Sequence, residues 1–156
     1  MTLSENLTRD DLRRALLAGT AFFLALFALG FALGTIRVLF VAPRIGPLGA
    51  VSLEVPIMLV AGFAICRWSV RRWQVSRAMT VRWAMTGWFL ALLFLFETML
   101  GATLFGRTLA EQWAALATPE GLLGISAQIV AALLPLFIGR NEHHSGTLGD
   151  TARFRE

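Results

Sequence analysis

Lysine is absent from this chain, and it contains one cysteine and two histidines. All 14 basic residues are arginines, which we attribute to a compositional bias of the genome rather than to chemistry. The single cysteine, Cys66, excludes an internal disulfide and a CxxC pair, and with them the four-helix thiol oxidoreductases. Both histidines, His143 and His144, lie in a polar tail, where we interpret an adjacent pair as a surface tract.

The apolar segments also lack the side chains that most membrane enzymes need. None of them contains histidine, which excludes bis-histidine haem ligation and a histidine/carboxylate metal centre within this chain. The serines have no histidine at a similar depth to activate them, and neither GxGxxG nor a phosphate loop occurs. We therefore predict a protein that is not an enzyme and holds no metal and no cofactor.

The residues that are present indicate a membrane protein. Hydrophobic residues make up 56% of the 156 and charged residues only 15%, whereas a soluble domain has roughly 45–50% and ~25%. The arginines flank the apolar segments, so we interpret them as topology signals and as contacts to anionic headgroups of the lipid bilayer. Nucleic acid is not an expected partner.

The apolar segments predict an all-α fold, a bundle of four transmembrane helices. A polar cytoplasmic segment, 1–14, precedes the first span, and the first helix begins within it, with Thr8 as N-cap and Asp10 and Asp11 in the first turn. A turn containing Pro43, Gly46 and Pro47 reverses the chain, and Thr118 followed by Pro119 starts the last helix. The expected spans are about 15–41, 48–65, 84–105 and 119–138, and together they form one domain, 15–139.

Arginine distribution sets the expected orientation. Residues 67–83 contain five arginines and no acidic residue, which marks the cytoplasmic side and places both chain ends there. We predict that this segment is interfacial, that 108–117 forms a short amphipathic helix on the outer surface, and that the tail, 140–156, is disordered. The predicted headgroup contacts are Arg67, Trp68, Arg71, Arg72, Trp73, Arg77, Arg82 and Trp83.

Each predicted span carries one notable polar residue in its outer half. Arg37 and Glu54 lie near the outer ends of the first two spans, and the short hairpin between them predicts a structural charge pair. Glu97 lies roughly 12 Å below the outer end of the third span, and Gln128 is at nearly the same level in the fourth. Glu97, Gln128 and Arg37 therefore form the candidate ligand or proton site.

Glu97 leaves three interpretations open. Arg37 folds over it, or it is protonated with Gln128 or a backbone carbonyl as partner, or it binds a cation; contact with another subunit is a further role. Gly30 and Gly34 form a GxxxG step, a candidate helix-packing face.

The run GTIRVLFVAPRIG, from Gly34 to Gly46, followed by Glu54-Val55-Pro56, resembles small uncharacterised four-span inner-membrane proteins of alphaproteobacteria. The resemblance is best over the first hairpin. It implies a location in the bacterial inner membrane and implies no activity.

Two functions follow as hypotheses. The first is a non-enzymatic accessory or scaffold protein that assembles in the membrane as a homo-oligomer or as a subunit of a larger complex. The second is a small oligomeric transporter or channel, coupled to protons or cations, in which Arg37, Glu54 and Glu97 act together.

Overall fold

Helices account for every regular element in the part of the chain that the computed structural model describes, residues 8–104, 106 and 108–138. This confirms the all-α class. Three helical stretches are long and apolar enough to cross a membrane, namely Arg9–Arg72, Met79–Thr103 and Pro119–Phe137. The predictions for the N-terminal end and for the tail lie outside the described residues. The helices are α1 (Arg9–Ile36), a π-helical segment (Arg37–Val41), α2 (Ala42–Arg72), α3 (Met79–Thr103), α4 (Leu109–Leu116) and α5 (Pro119–Phe137).

The first stretch folds back on itself at Gly46, whose φ of 80° and ψ of 163° are not helical. Pro47, which has no amide hydrogen to donate, follows at once. A β-carbon on Gly62 would lie 3.7 Å from Leu26 Cδ1, and one on Gly30 would lie 3.1 Å from Met58 Cε. Because the partner's residue number falls as the residue number on α1 rises, the two legs are antiparallel, as the predicted turn requires.

The four long helices form a ring in which each contacts two neighbours. Helix α1 packs on α2 and α3, and α5 packs on the same two helices from the opposite corner. Helices α1 and α3 run parallel, since Phe22 stacks on Phe89 at 4.5 Å and Phe27 contacts Phe96 at 5.7 Å between ring centroids. The ring order is therefore α1, α2, α5, α3.

The main hydrophobic cluster lies toward one end of this ring. We call it the closed end; it contains the starts of α1 and α3 and the ends of α2 and α5. Its large buried residues are Phe22, Phe23, Cys66, Met85 and Phe89. At the other end, the open end, apolar side chains such as Phe40, Phe94 and Leu122 are more than half exposed.

Between α2 and α3 the turn is shorter than the predicted interfacial segment 67–83. Helix α2 continues to Arg72 and α3 begins at Met79, because arginine is a good helix former and simply extends the helices beyond their apolar parts. The turn opens with a Schellman motif. Gln74 has a left-handed φ of 49°, the Val75 amide donates to the Val70 carbonyl at 3.0 Å, and both valines are buried.

The predicted helix caps are confirmed. Thr8 accepts a hydrogen bond from the Asp11 amide at 3.1 Å, and Thr118 accepts one from the Gly121 amide at 3.1 Å. Helix α4 begins with a capping box between Thr108 and Glu111.

Helix α4 presents its apolar residues outward. Leu109 and Trp113 are exposed, whereas the Gln112 side chain points at α3 and donates to the Thr98 carbonyl at 3.5 Å. This orientation suits a helix whose apolar face meets lipid.

Candidate functional site

Arg37 is the first residue of the π-helical segment that follows α1. The Ala42 amide donates to the Arg37 carbonyl, five residues back, which widens the helix by one residue per turn at this point. Pro43 follows and has no amide hydrogen for a normal helical bond. The Arg44 guanidinium donates to the Phe40 carbonyl, so a side chain supplies a donor to the backbone in the region that Pro43 interrupts. The widened turn precedes the reversal at Gly46 and sets the position of Arg37.

Arg37 and Glu54 meet across the hairpin. The Arg37 Nε atom lies 2.7 Å from Glu54 Oε2, and the side chains are 32% and 18% exposed. The Nε–H is not aligned with any acceptor, so the contact is an ion pair rather than a directed hydrogen bond. Two opposite charges held at this distance partly offset the cost of withdrawing each from water.

Glu97 and Gln128 meet across the neighbouring helices α3 and α5. The Gln128 amide donates to Glu97 Oε1. Gln128 is half-buried, but Glu97 is exposed at the open end, about 9 Å from the end of α3 at Thr103. Its neighbours Phe94 and Met99 are also exposed. The carboxylate therefore lies at the edge of the bundle and not in its centre.

The four polar residues form two separate pairs instead of one cluster. Within the described part of the chain, neither an ion pair nor a hydrogen bond connects Arg37 or Glu54 with Glu97 or Gln128. The described residues also contain no group of three histidine, cysteine or acidic side chains that is able to hold a metal ion. The arrangement places one cation against one anion in the hairpin, and one anion against a neutral amide at the seam between α3 and α5.

The two glycines of the GxxxG step have different surroundings. Gly30 lies against Met58 of α2, where a β-carbon would come within 3.1 Å of the Met58 methyl group. Around Gly34 a β-carbon would meet nothing within 4 Å. Gly30 thus serves packing inside the hairpin, and Gly34 leaves a gap on the surface of α1.

Arg82 faces the interior. The sequence predicts instead that it contacts lipid headgroups, together with the neighbouring arginines and tryptophans. It is 4% exposed, its Nε donates to the Ser76 carbonyl at 2.9 Å, and its Nη1 donates to the Pro135 carbonyl at 3.0 Å. The guanidinium therefore holds the turn after α2 against the last turn of α5, where free carbonyls favour a positive charge. A sequence signal existed, because Arg82 shares the helical face of Met85, Thr86 and Phe89.

Most of the other predicted headgroup residues lie on the surface of the closed end. Arg67, Trp68 and Trp83 are exposed. Trp68 and Trp73 pack edge to face with ring centroids 5.6 Å apart, and the Arg72 guanidinium lies 5.7 Å from the Trp73 centroid. Arg71 and Arg77 are also exposed, and each has an interaction within the chain.

Comparison of the chain with protein families, with curated proteins and with solved structures finds no match.

Proposed function

We propose that this chain is a non-enzymatic protein of the bacterial inner membrane that assembles within the bilayer, either with copies of itself or as a subunit of a larger complex. In this proposal it has four spans and both ends are cytoplasmic. The proposal rests on the length of the helices, on the distribution of arginines and, above all, on the exposure of Glu97.

Helix length supports four spans. A straight helix over Arg9–Arg72 has 64 residues and would be about 96 Å long, three times the ~30 Å hydrocarbon core of a bilayer. The reversal at Gly46 divides it into two antiparallel legs, each long enough to cross once. With α3 and α5 this makes four crossings.

Arginine distribution supports the orientation. The closed end carries Arg9, Arg13 and Arg14 at the start of the first leg, and Arg71 and Arg72 at the end of α2. The open end has fewer arginines. By the positive-inside rule the closed end then faces the cytoplasm.

The exposure of Glu97 carries the assembly proposal. A carboxylate costs roughly 2.5–3.5 kcal/mol on insertion scales at the centre of a bilayer and less toward the headgroups, and carboxylates within a span almost always face a protein interior or a partner. Glu97 is exposed, and Gln128 satisfies only one of its two oxygens in the described residues. A second protein surface over the seam of α3 and α5 would cover the carboxylate and the exposed apolar residues around it.

Disulfide trapping in native membranes tests the proposal. Cys66 is replaced by alanine, which removes the only native thiol, and single cysteines are placed at Phe94, which is 63% exposed and one helical turn before Glu97 on the same face of α3, or at Val60. Val60 is 72% exposed on α2, the corner of the ring opposite α3, and is the matched control. We expect oxidation to cross-link the Phe94→Cys protein to itself or to a co-purifying subunit, and to leave the Val60→Cys protein uncross-linked.

The role of the carboxylate is tested in the same assay. Glu97→Leu should lower the cross-linking yield at position 94, and Glu120→Leu, at the first turn of α5, should not. A folded protein that purifies alone, as a monomer, and forms no cross-link at position 94 would contradict the proposal.

The alternative hypothesis, a proton- or cation-coupled transporter in which Arg37, Glu54 and Glu97 act together, stays a prediction. The separation of these residues into two pairs gives it no added support. Reconstituted vesicles distinguish the two functions. A pH-dependent flux that Glu97→Gln abolishes, while the oligomer persists, would favour transport over assembly.

A further inference from the structure

A groove of about 420 Å³ lies at the closed end, on the side of the ring that faces away from the core, between the first turns of α1 and Trp88 of α3. Its volume is within the ~300–1,000 Å³ of typical small-molecule sites. Arg9 and Arg13 line it where α1 begins, and Leu16, Leu17 and Trp88 line it further along. The lining runs from Arg9 to Thr20, a distance of about 16 Å along the helix axis.

The apolar wall of the groove is fixed in position. The Trp88 Nε1–H donates to Thr20 Oγ1 at 2.9 Å, which ties the indole to α1. Next to it, a β-carbon on Gly19 would lie 3.2 Å from both the Met85 carbonyl oxygen and Trp88 Cδ1. The two helices are thus in close contact beneath the ring. Trp88 is 38% exposed and Leu17 is 44% exposed, so both are accessible from the groove.

The arginine end of the groove is suited to a phosphate group. Arg9 and Arg13 are one helical turn, about 6 Å, apart on the same face of α1. Among the described residues, neither arginine side chain forms an ion pair or a hydrogen bond. The nearby carboxylate of Asp11 accepts a hydrogen bond from the Thr8 hydroxyl instead. Guanidinium groups bind phosphate oxygens with directed, charge-assisted hydrogen bonds.

We propose that this groove binds one anionic phospholipid of the inner leaflet. Arg9 and Arg13 hold the headgroup phosphate, and one acyl chain lies along Leu16, Leu17 and the face of Trp88. A bulk annular lipid would show no preference for charge, whereas two arginines above an apolar wall select a negative headgroup. The inference rests on the orientation proposed above, with the closed end at the cytoplasmic face, and not on assembly.

Tryptophan quenching by brominated lipids tests contact at the groove. Trp68, Trp73, Trp83 and Trp113 are replaced by phenylalanine, which leaves Trp88 as the only fluorophore. The protein is reconstituted in phosphatidylcholine vesicles containing phosphatidylglycerol, with the bromine on the acyl chains of one lipid or the other. We expect brominated phosphatidylglycerol to bind next to Trp88 more tightly than brominated phosphatidylcholine. Each of Arg9 and Arg13 should contribute about a fivefold difference in affinity.

Charge removal at matched positions tests the arginines. Arg13→Gln should reduce the preference about fivefold, whereas Arg14→Gln, the neighbouring position outside the groove, should leave it unchanged. Equal quenching by the two lipids, or an equal loss in the two variants, would overturn the proposal.

Native mass spectrometry of the chain with all five tryptophans gives a second readout that does not depend on the quadruple variant. The unmodified protein should retain phosphatidylglycerol in preference to phosphatidylcholine, and Arg13→Gln should lose that preference while Arg14→Gln keeps it. Absence of any preference in the unmodified protein would overturn the proposal. The same spectra report the oligomeric state, so a failure of lipid selection and a failure of assembly are distinguished.

Discussion

The Arg82 guanidinium donates a hydrogen bond of 3.0 Å to the Pro135 carbonyl, 53 residues later in the chain. The same side chain donates to Ser76, so it connects the start of α3, the preceding turn and the end of α5. Arg82 is the one arginine of the closed end that is buried among the described residues.

Replacement of Arg82 by lysine should therefore destabilise the protein by about 2–3 kcal/mol, because an ammonium group cannot reproduce two divergent guanidinium bonds and hydrogen bonds to charged groups are worth about 1.5–3 kcal/mol. The free energy of unfolding in detergent micelles measures this. Arg67→Lys, at an exposed site, is the control and should change it by less than about 0.5 kcal/mol. Equal stability of the two variants would show that the buried contacts contribute nothing.

The ion pair between Arg37 and Glu54 should appear as coupling in a double-mutant cycle. We expect Arg37→Gln and Glu54→Gln each to cost about 1–3 kcal/mol, and the double variant to cost at least 1 kcal/mol less than their sum, because each single change leaves one charge without its partner. Arg44→Gln combined with Glu54→Gln is the control, since Arg44 bonds to the backbone, and it should be additive. Additivity in both pairs would contradict an energetic coupling between Arg37 and Glu54.

Two glycines at the start of α5 should respond in opposite ways to alanine. A β-carbon on Gly121 would overlap the Ala115 carbonyl oxygen and lie 2.9 Å from Leu116 Cα, both backbone atoms that cannot rotate away. Around Gly124 it would meet nothing within 4 Å. Thermal unfolding should show Gly121→Ala destabilised by about 1–3 kcal/mol and Gly124→Ala unchanged or stabilised by about 0.5–1 kcal/mol. A neutral Gly121→Ala would mean that α4 and α5 are further apart.

Glycine at position 74 should stabilise the protein. Gln74 adopts a left-handed φ of 49° at the end of α2, which costs a residue with a side chain about 1–2 kcal/mol and costs glycine almost nothing. We expect Gln74→Gly to raise the free energy of unfolding in detergent micelles by up to about 1 kcal/mol. A loss of stability would indicate that the Gln74 side chain makes a contact worth more than the strain.

The hydroxyl of Thr86 should be dispensable. It is 1% exposed and its Oγ1 has no hydrogen-bond partner among the described residues. Because valine has nearly the same shape and needs no partner, Thr86→Val should increase stability by about 1 kcal/mol. Thr80→Val, at an exposed site, is the control and should have little effect on stability. Destabilisation by Thr86→Val alone would reveal a partner for the hydroxyl.

Properties that depend on local chemistry are predictable from the sequence of this protein. Apolar content and length predict membrane-spanning helices, hydroxyl residues followed by acidic or proline residues predict the starts at Thr8 and Thr118, and prolines around Gly46 predict the reversal. It also identified the four polar residues that the structure arranges as two pairs. These features follow from the preferences of single residues and from distances of a few residues along the chain.

Which helices are neighbours, and therefore what each polar side chain contacts, depends on the tertiary structure. Glu97 lies in an apolar segment with no basic residue near it in sequence, and only the packing of α3 on α5 gives it Gln128 and leaves it at the surface. Arg82 belongs by sequence to an arginine-rich surface segment, yet the docking of α5 turns it inward. Partners so far apart in the chain are set by the order of helices in the ring, which depends on the summed packing of apolar faces and not on any local pattern.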